Sequence, residues 1–135
     1  MTAPVWLKPE LVIAIHEEQL RQYGGSPGLH DRGLLESALA RPVNKWSYEN
    51  EADLARLAAS IAFGIARNHP FVDGNKRAAL LALVTFLELN GTSFLADEAE
   101  AVVMIRDLAA GAIGEAELAM WIRDVAEGRR PRLAR

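Results

Sequence analysis

Residues 68–77 read Asn-His-Pro-Phe-Val-Asp-Gly-Asn-Lys-Arg and lie between two strongly apolar stretches of a 135-residue chain. Upstream, Leu54, Leu57, Ala58, Ile61, Ala62 and Ile65 recur at helical spacing. Downstream, Ala78, Ala79, Leu80, Leu81, Leu83, Phe86 and Leu87 carry a second helix over about Asn75 to Leu89, closed by Asn90-Gly91. Pro70 disfavours helical backbone at His69, so the first helix should end there. Gly74 and Asn75 fall at the start of the next. The ten residues are therefore a tight connection between two helices apolar enough for the middle of a bundle, which points to an all-α fold.

The loop is also dense in chemistry. An imidazole titrates near pH 6.5 and suits His69 to accept a proton from an attacking hydroxyl. Asp73 is a candidate ligand for Mg²⁺, a hard cation that usually shares its shell with substrate phosphates. Gly74 and Asn75 open a helix, whose free N–H groups and positive dipole end favour anions. Lys76 and Arg77 add charge there, and Arg can grip phosphate with two parallel bonds. A base, a metal ligand, a phosphate cradle and two cations are what transfer of a phosphorus-containing group needs. Taken singly, each has a plainer account: a backbone-bonded histidine, an N-capping aspartate, solvated cations. Their concentration in one short loop is what favours the functional one.

Working outward, Pro9 to Tyr23 reads as a helix with Leu11, Val12, Ile15, His16 and Leu20 along one side, ended by Gly24-Gly25. His16 is expected to be a hydrogen-bonded packing residue. Ser26-Pro27-Gly28 is a turn, His30 a surface or capping residue, and Asp31 an N-cap for a short helix through Leu34, Leu35 and Leu39, closed by Arg41-Pro42. Residues 43–50 then form a loop carrying Trp46 and Tyr48, and Asn50 caps the helix that leads to His69, with Asp53 at its third position. After Gly91, Thr92 to Leu95 reads as a brief extended segment. Asp97 and Glu100 make a capping pair for a helix through Val102, Ile105 and Leu108 that ends at Gly111. Glu115 to Glu127 forms the last helix, with Leu118, Trp121, Ile122 and Val125 facing inward. The sum is a compact bundle of about six helices in a single domain over 1–135, with at most a short extended flap. Its basic tail, 128–135, is expected to fray.

Half the residues are hydrophobic, enough for a core that buries roughly two-thirds of the unfolded chain's surface. There is no cysteine, which removes disulfides and thiolate metal sites. A net charge of −3 gives no general pull toward nucleic acid, so neither a nucleic-acid partner nor an RNA-cleaving activity is expected from composition. No basic region followed by an apolar run opens the chain, and no stretch reaches the ~20 apolar residues that span a bilayer. A cytoplasmic protein with no membrane contact is the expectation.

The loop resembles the signature of the Fic/Doc family, His-Pro-Phe-x-(Asp/Glu)-Gly-Asn-Gly-Arg-x-x-Arg. It matches at His69, Pro70, Phe71, Asp73, Gly74, Asn75 and Arg77. It departs at Lys76, where the nucleotidyl-transferring branch has Gly, and at Leu80, where that branch has a second Arg. Both departures are similar to those of the death-on-curing (Doc) toxin branch. Tyr23-Gly-Gly-Ser-Pro-Gly-Leu-His-Asp31 and Phe86-Leu-Glu-Leu-Asn-Gly91 extend the resemblance over most of the chain.

The resemblance implies His69 as general base, Asp73 as Mg²⁺ ligand, and Gly74, Asn75, Lys76 and Arg77 as the phosphate-holding residues, with ATP as substrate. Phe71 would anchor the loop, and residues 43–50 would match the flap that holds a target segment. Lys76 would crowd the pocket that a Gly leaves open for an α-phosphate, and Leu80 would remove a clamp on the far phosphate. ATP would then bind reversed, γ-phosphate toward His69, making the chain a protein kinase toxin of a type II toxin–antitoxin system. The implied target is elongation factor Tu and the implied partner a Phd-type antitoxin. An inhibitory Ser/Thr-x-x-x-Glu-Gly/Asn helix is missing, since Ser47 to Glu51 has the spacing but Ala52 follows. Nucleotidyl transfer in the same pocket, or a binding module without catalysis, are the alternatives.

Overall fold

The structure, a computed structural model, describes residues 2–128 and is all-α. Six helices follow one another: α1 (Pro9–Tyr23), α2 (Arg32–Glu49), α3 (Leu54–Asn68), α4 (Asn75–Leu89), α5 (Glu98–Ala110) and α6 (Glu115–Ala126). The tail expected to fray lies, beyond Gly128, outside the described residues.

α3 is the hub. It packs on α2, α4, α5 and α6, and ten of its fifteen residues are buried. Alanine at 55, 58, 59, 62 and 66 keeps its surface low, so its neighbours come close while Leu57, Ile61 and Ile65 fill the gaps between them. The approach is tightest at Gly64, where a Cβ would stand 2.8 Å from the Ala38 Cβ and 2.9 Å from the Ala38 Cα. α1 covers the open side of α4 through Val12 and His16. Trp6, ahead of α1, stacks on Phe86 with ring centroids 6.0 Å apart.

α2 corrects the expectation of a short helix and a loop over 43–50. It runs through Pro42 to Glu49, so Trp46 and Tyr48 are helical. Pro42 removes one backbone hydrogen bond from the helix interior, a cost of roughly 3 kcal/mol in isolation. The far half is held from outside instead. The Arg41 guanidinium pairs with Glu115 on α6 and bonds the Ser60 carbonyl on α3, Lys45 lies 3.6 Å from Glu115, and the Pro42 ring itself is buried. Asn50, expected to open α3, instead closes α2 in the left-handed conformation (φ 56°, ψ 30°) that Asn tolerates. Asp53 is the N-cap of α3, accepting from the Ala55 N–H, and it also pairs with Arg123 of α6.

Residues 92–95 form no strand; Phe94 is buried and meets Trp121 edge-on at 5.5 Å. Asp97 accepts from the Glu100 N–H, as a capping residue should. The Glu100 carboxylate does not return the bond and takes the Trp121 Nε1–H at 2.6 Å, joining α5 to α6. Val102 faces solvent, and Ala101, Met104, Ile105 and Leu108 form the inner face of α5. Among the described residues no helix is long and apolar enough to cross a membrane.

Candidate active site at the α3–α4 connection

α3 stops where Pro70 requires. His69 is its C-cap, with φ 52° and ψ 58°, and its N–H still reaches the Ile65 carbonyl at 3.2 Å. A non-glycine residue in the left-handed region stores on the order of 1 kcal/mol and is kept there only by its surroundings. Here those surroundings are explicit. The Asn68 Nδ2–H donates to the Leu34 carbonyl at 3.0 Å, and the Pro70 carbonyl accepts from the N–H groups of His30 (2.7 Å) and Asp31 (3.0 Å). The turn sends the His69 side chain out to solvent while Pro70 and Phe71 go inward.

Phe71 anchors the loop, as expected, at 2% exposure. It pairs with Leu29 as an isolated antiparallel bridge, and the Val72 N–H continues the pairing to the Gly28 carbonyl at 3.1 Å. This strap over residues 28–31 carries the one β-bridge among the described residues. On its other face the Phe71 ring lies flat on His16, centroids 3.8 Å apart and planes 9° from parallel.

Asn75, expected to hold phosphate, turns its side chain backwards. Its Oδ1 accepts from the Phe71 N–H and its Nδ2–H donates to the Phe71 carbonyl, both at 2.9 Å, and the residue is buried. Its amide therefore closes the loop, leaving only its backbone N–H for a ligand. That end of α4 is open, because Gly74 (φ 79°) carries no capping side chain. The first intrahelical bond runs from the Ala78 N–H to the Gly74 carbonyl, so the N–H groups of Asn75, Lys76 and Arg77 precede the ladder.

Asp73 stands beside this helix start, exposed, with Oδ2 accepting from the Ser26 N–H (3.1 Å) and Oδ1 from the Gly74 N–H (2.9 Å). Those two bonds, Ser26 first, hold its carboxyl below the ordinary aspartate value, with the nearby His16 and Arg77 contributing less. Each oxygen uses one backbone donor and keeps further lone pairs on an ionised group. The Arg77 guanidinium lies 4.8 Å over the Tyr23 ring. Lys76 is exposed and forms no ion pair with any described residue. Leu80, which stands where the signature has its second arginine, is half-buried and packs against the core.

A base, a carboxylate, an uncapped helix start and two cations thus share one braced loop. The family model described as Fic/DOC matches residues 6–87, which covers α1 through most of α4 and the whole loop. The chain belongs to the Fic/DOC family. Within that family it sides with the Doc branch. It is 34% identical over 117 residues to a protein named "Protein kinase doc" from Escherichia phage P1, covering 87% of this chain and 92% of the relative. It is 42% identical over 76 residues to "Toxin Doc" from Mycolicibacterium smegmatis, covering 56% of this chain and 58% of that protein.

Several contributors to this Fic/DOC loop were not singled out from the sequence. Asn68, Ser26 and the carbonyl of Gly28 act through bonds that no local pattern announces. Tyr23 sits in a stretch that the family resemblance had marked, but its place under Arg77 needed the fold. His16 was expected as a hydrogen-bonded packing residue and is one, buried, with Nε2–H donating to the Asp73 carbonyl at 2.7 Å.

Mg²⁺ is commonly held by one or two carboxylates, phosphate oxygens and water rather than by an all-protein cage. Among the described residues no three acidic, His or Cys side chains converge, and Asp73 next to an uncapped helix start fits the first arrangement.

Proposed function

We propose that this protein is the toxin of a type II toxin–antitoxin pair and acts as a protein kinase, moving the γ-phosphate of ATP to a hydroxyl on a translation factor of the elongation factor Tu kind. The observation that carries the reading is the loop itself. An exposed imidazole at a fixed left-handed turn stands five residues before the open N-terminus of α4, with Asp73 between them and Lys76 and Arg77 on the first turn. The phage P1 relative, named a protein kinase, aligns over nearly its whole length, which favours phosphoryl transfer.

In this reading His69 accepts the proton of the target hydroxyl as its oxygen bonds to the γ-phosphorus, and the bond to the β-phosphate oxygen breaks to release ADP. The N–H groups of Asn75 to Arg77, opened by the Gly74 turn, and the side chains of Lys76 and Arg77 hold the phosphates and offset the charge that builds on them. Asp73 would hold Mg²⁺, which when bound supplies neutralisation of phosphate charge. Lys76 fills the place of a glycine and Leu80 that of an arginine, so a nucleotide entering phosphate-first is favoured over one that offers its α-phosphate to His69. The regulating partner in this reading is a Phd-type antitoxin, since Ser47–Glu51 forms no inhibitory helix: α2 ends at Glu49, Asn50 turns left-handed, and Ala52 follows Glu51.

Incubating a bacterial lysate with Mg²⁺ and ATP labelled at either the γ- or the α-phosphate tests this directly. A protein band labelled from the γ position by the wild type and not by His69→Ala is the expected result. Label from the α position alone would make the enzyme a nucleotidyltransferase, and toxicity that survives His69→Ala with no label would make it a binding module.

A further inference from the structure

The Asp73 carbonyl presents an accounting problem. It lies one residue before the oxygen that starts the α4 ladder, so no helical N–H serves it. Buried or half-buried carbonyls are nearly always paired, and an unmet one costs on the order of 1–3 kcal/mol. The partner comes from α1: His16, 57 residues away in the chain, donates Nε2–H at 2.7 Å. The same ring stacks on Phe71, and its Nε2 and Cδ2 lie beside Gly74, within van der Waals contact (3.4 and 3.6 Å) of where a Cβ would stand. One imidazole therefore touches three successive parts of the loop. A residue needed only to fill the core could be apolar, as Val12, the other buried residue of α1, is.

We propose that His16 is a positioning residue for this site. Through its bond to the Asp73 carbonyl and its stack on Phe71, it fixes the turn that aims the Asp73 carboxylate and presents the open start of α4. What is being positioned rests on the kinase reading; the bracing itself does not. His16 touches neither the nucleotide nor the target hydroxyl, and removing its donor acts through the loop. The Gly74 and Ser26 N–H groups that hold the Asp73 carboxylate lose their fixed acceptor when the turn loosens.

The test uses the full chain in a His69→Ala background, so that toxicity does not limit expression. His16→Phe keeps a flat ring on Phe71 and deletes the donor, His16→Gln restores a donor without the stack, and His16→Ala deletes both. Three readouts are taken: melting temperature, amide hydrogen exchange over residues 24–31 and 70–77, and Mg·ATP binding by calorimetry. For a folded His16→Phe, exchange at Ser26 and Gly74 should quicken and Mg·ATP affinity fall about tenfold, the size of effect typical of outer-sphere partners. His16→Gln should recover most of both. A folded His16→Phe with parental exchange overturns the proposal. If His16→Phe does not fold, a His16→Gln indistinguishable from His16→Ala overturns it. A parent that fails to bind Mg·ATP counts against the kinase reading, and the exchange arm then decides the role of His16 alone.

Discussion

The Asp73 carboxylate shows how much of this site is made by backbone. Ser26 and Gly74 donate to it, so its carboxyl titrates below the ordinary range near 3.9. A depressed folded-state value means that the stabilisation is complete above the unfolded value and is lost as pH falls through the folded one. Wild type should therefore be more stable to urea than Asp73→Asn at pH 6, with the margin shrinking once pH drops below about 4. Gly25 is the second sensitive residue, because its φ of 125° excludes most side chains and a Cβ there would meet Leu20 Cδ2 at 2.9 Å and Asp73 Oδ2 at 3.0 Å. Gly25→Ala should cost about 1–3 kcal/mol in urea unfolding and displace the carboxylate, which weaker Mg·ATP binding would reveal. At this scale the residue types of the site were legible, because a histidine before proline and a glycine before a polar helix start state their local roles. Asn75 was not. Its distance of four residues from Phe71 allows it either to face a ligand or to fold back, and only the burial of the loop selects the second.

Among the elements, apolar spacing located all six helices, but the cap of α3 was placed at Asn50 instead of Asp53, and only the first half of α2 could be drawn. The rule that proline ends a helix weighs a local cost, while the ties from Arg41 and Lys45 to Glu115 lie 74 and 70 positions along the chain. Removing the local cost should show the balance. Pro42→Ala regains a helical N–H and loses a small buried ring, and the difference, about 1 kcal/mol in favour of the variant, should appear as a higher urea midpoint. Gly64 poses the opposite contest. Alanine would add about 1 kcal/mol of helix propensity, but its Cβ would stand 2.8 Å from that of Ala38 and force α2 off α3. Overpacking against backbone wins, and Gly64→Ala should lose about 1–3 kcal/mol net.

For the whole molecule, α3 and its close neighbours set the order of events. Buried along most of its length, α3 should hold the slowest-exchanging amides, while Tyr23 to Asp31 exchange faster, as exposed backbone in a strap does. The ties that finish the fold are long-range: Trp121 to Glu100 closes α6 on α5, Arg123 to Asp53 closes it on the start of α3, and Glu115 anchors the far half of α2. α6 is the last described element to leave the ribosome, and its contacts steady the two helices from which His69 and the strap depart. A nascent chain that has emerged only through Arg77 holds every residue of the candidate site and none of the clamps that α6 supplies. Loop closures over such separations are slow to form and gain little until the rest is present. On the proposed reading, the chain becomes dangerous to translation only after α6 has been made and has docked on α2 and α3.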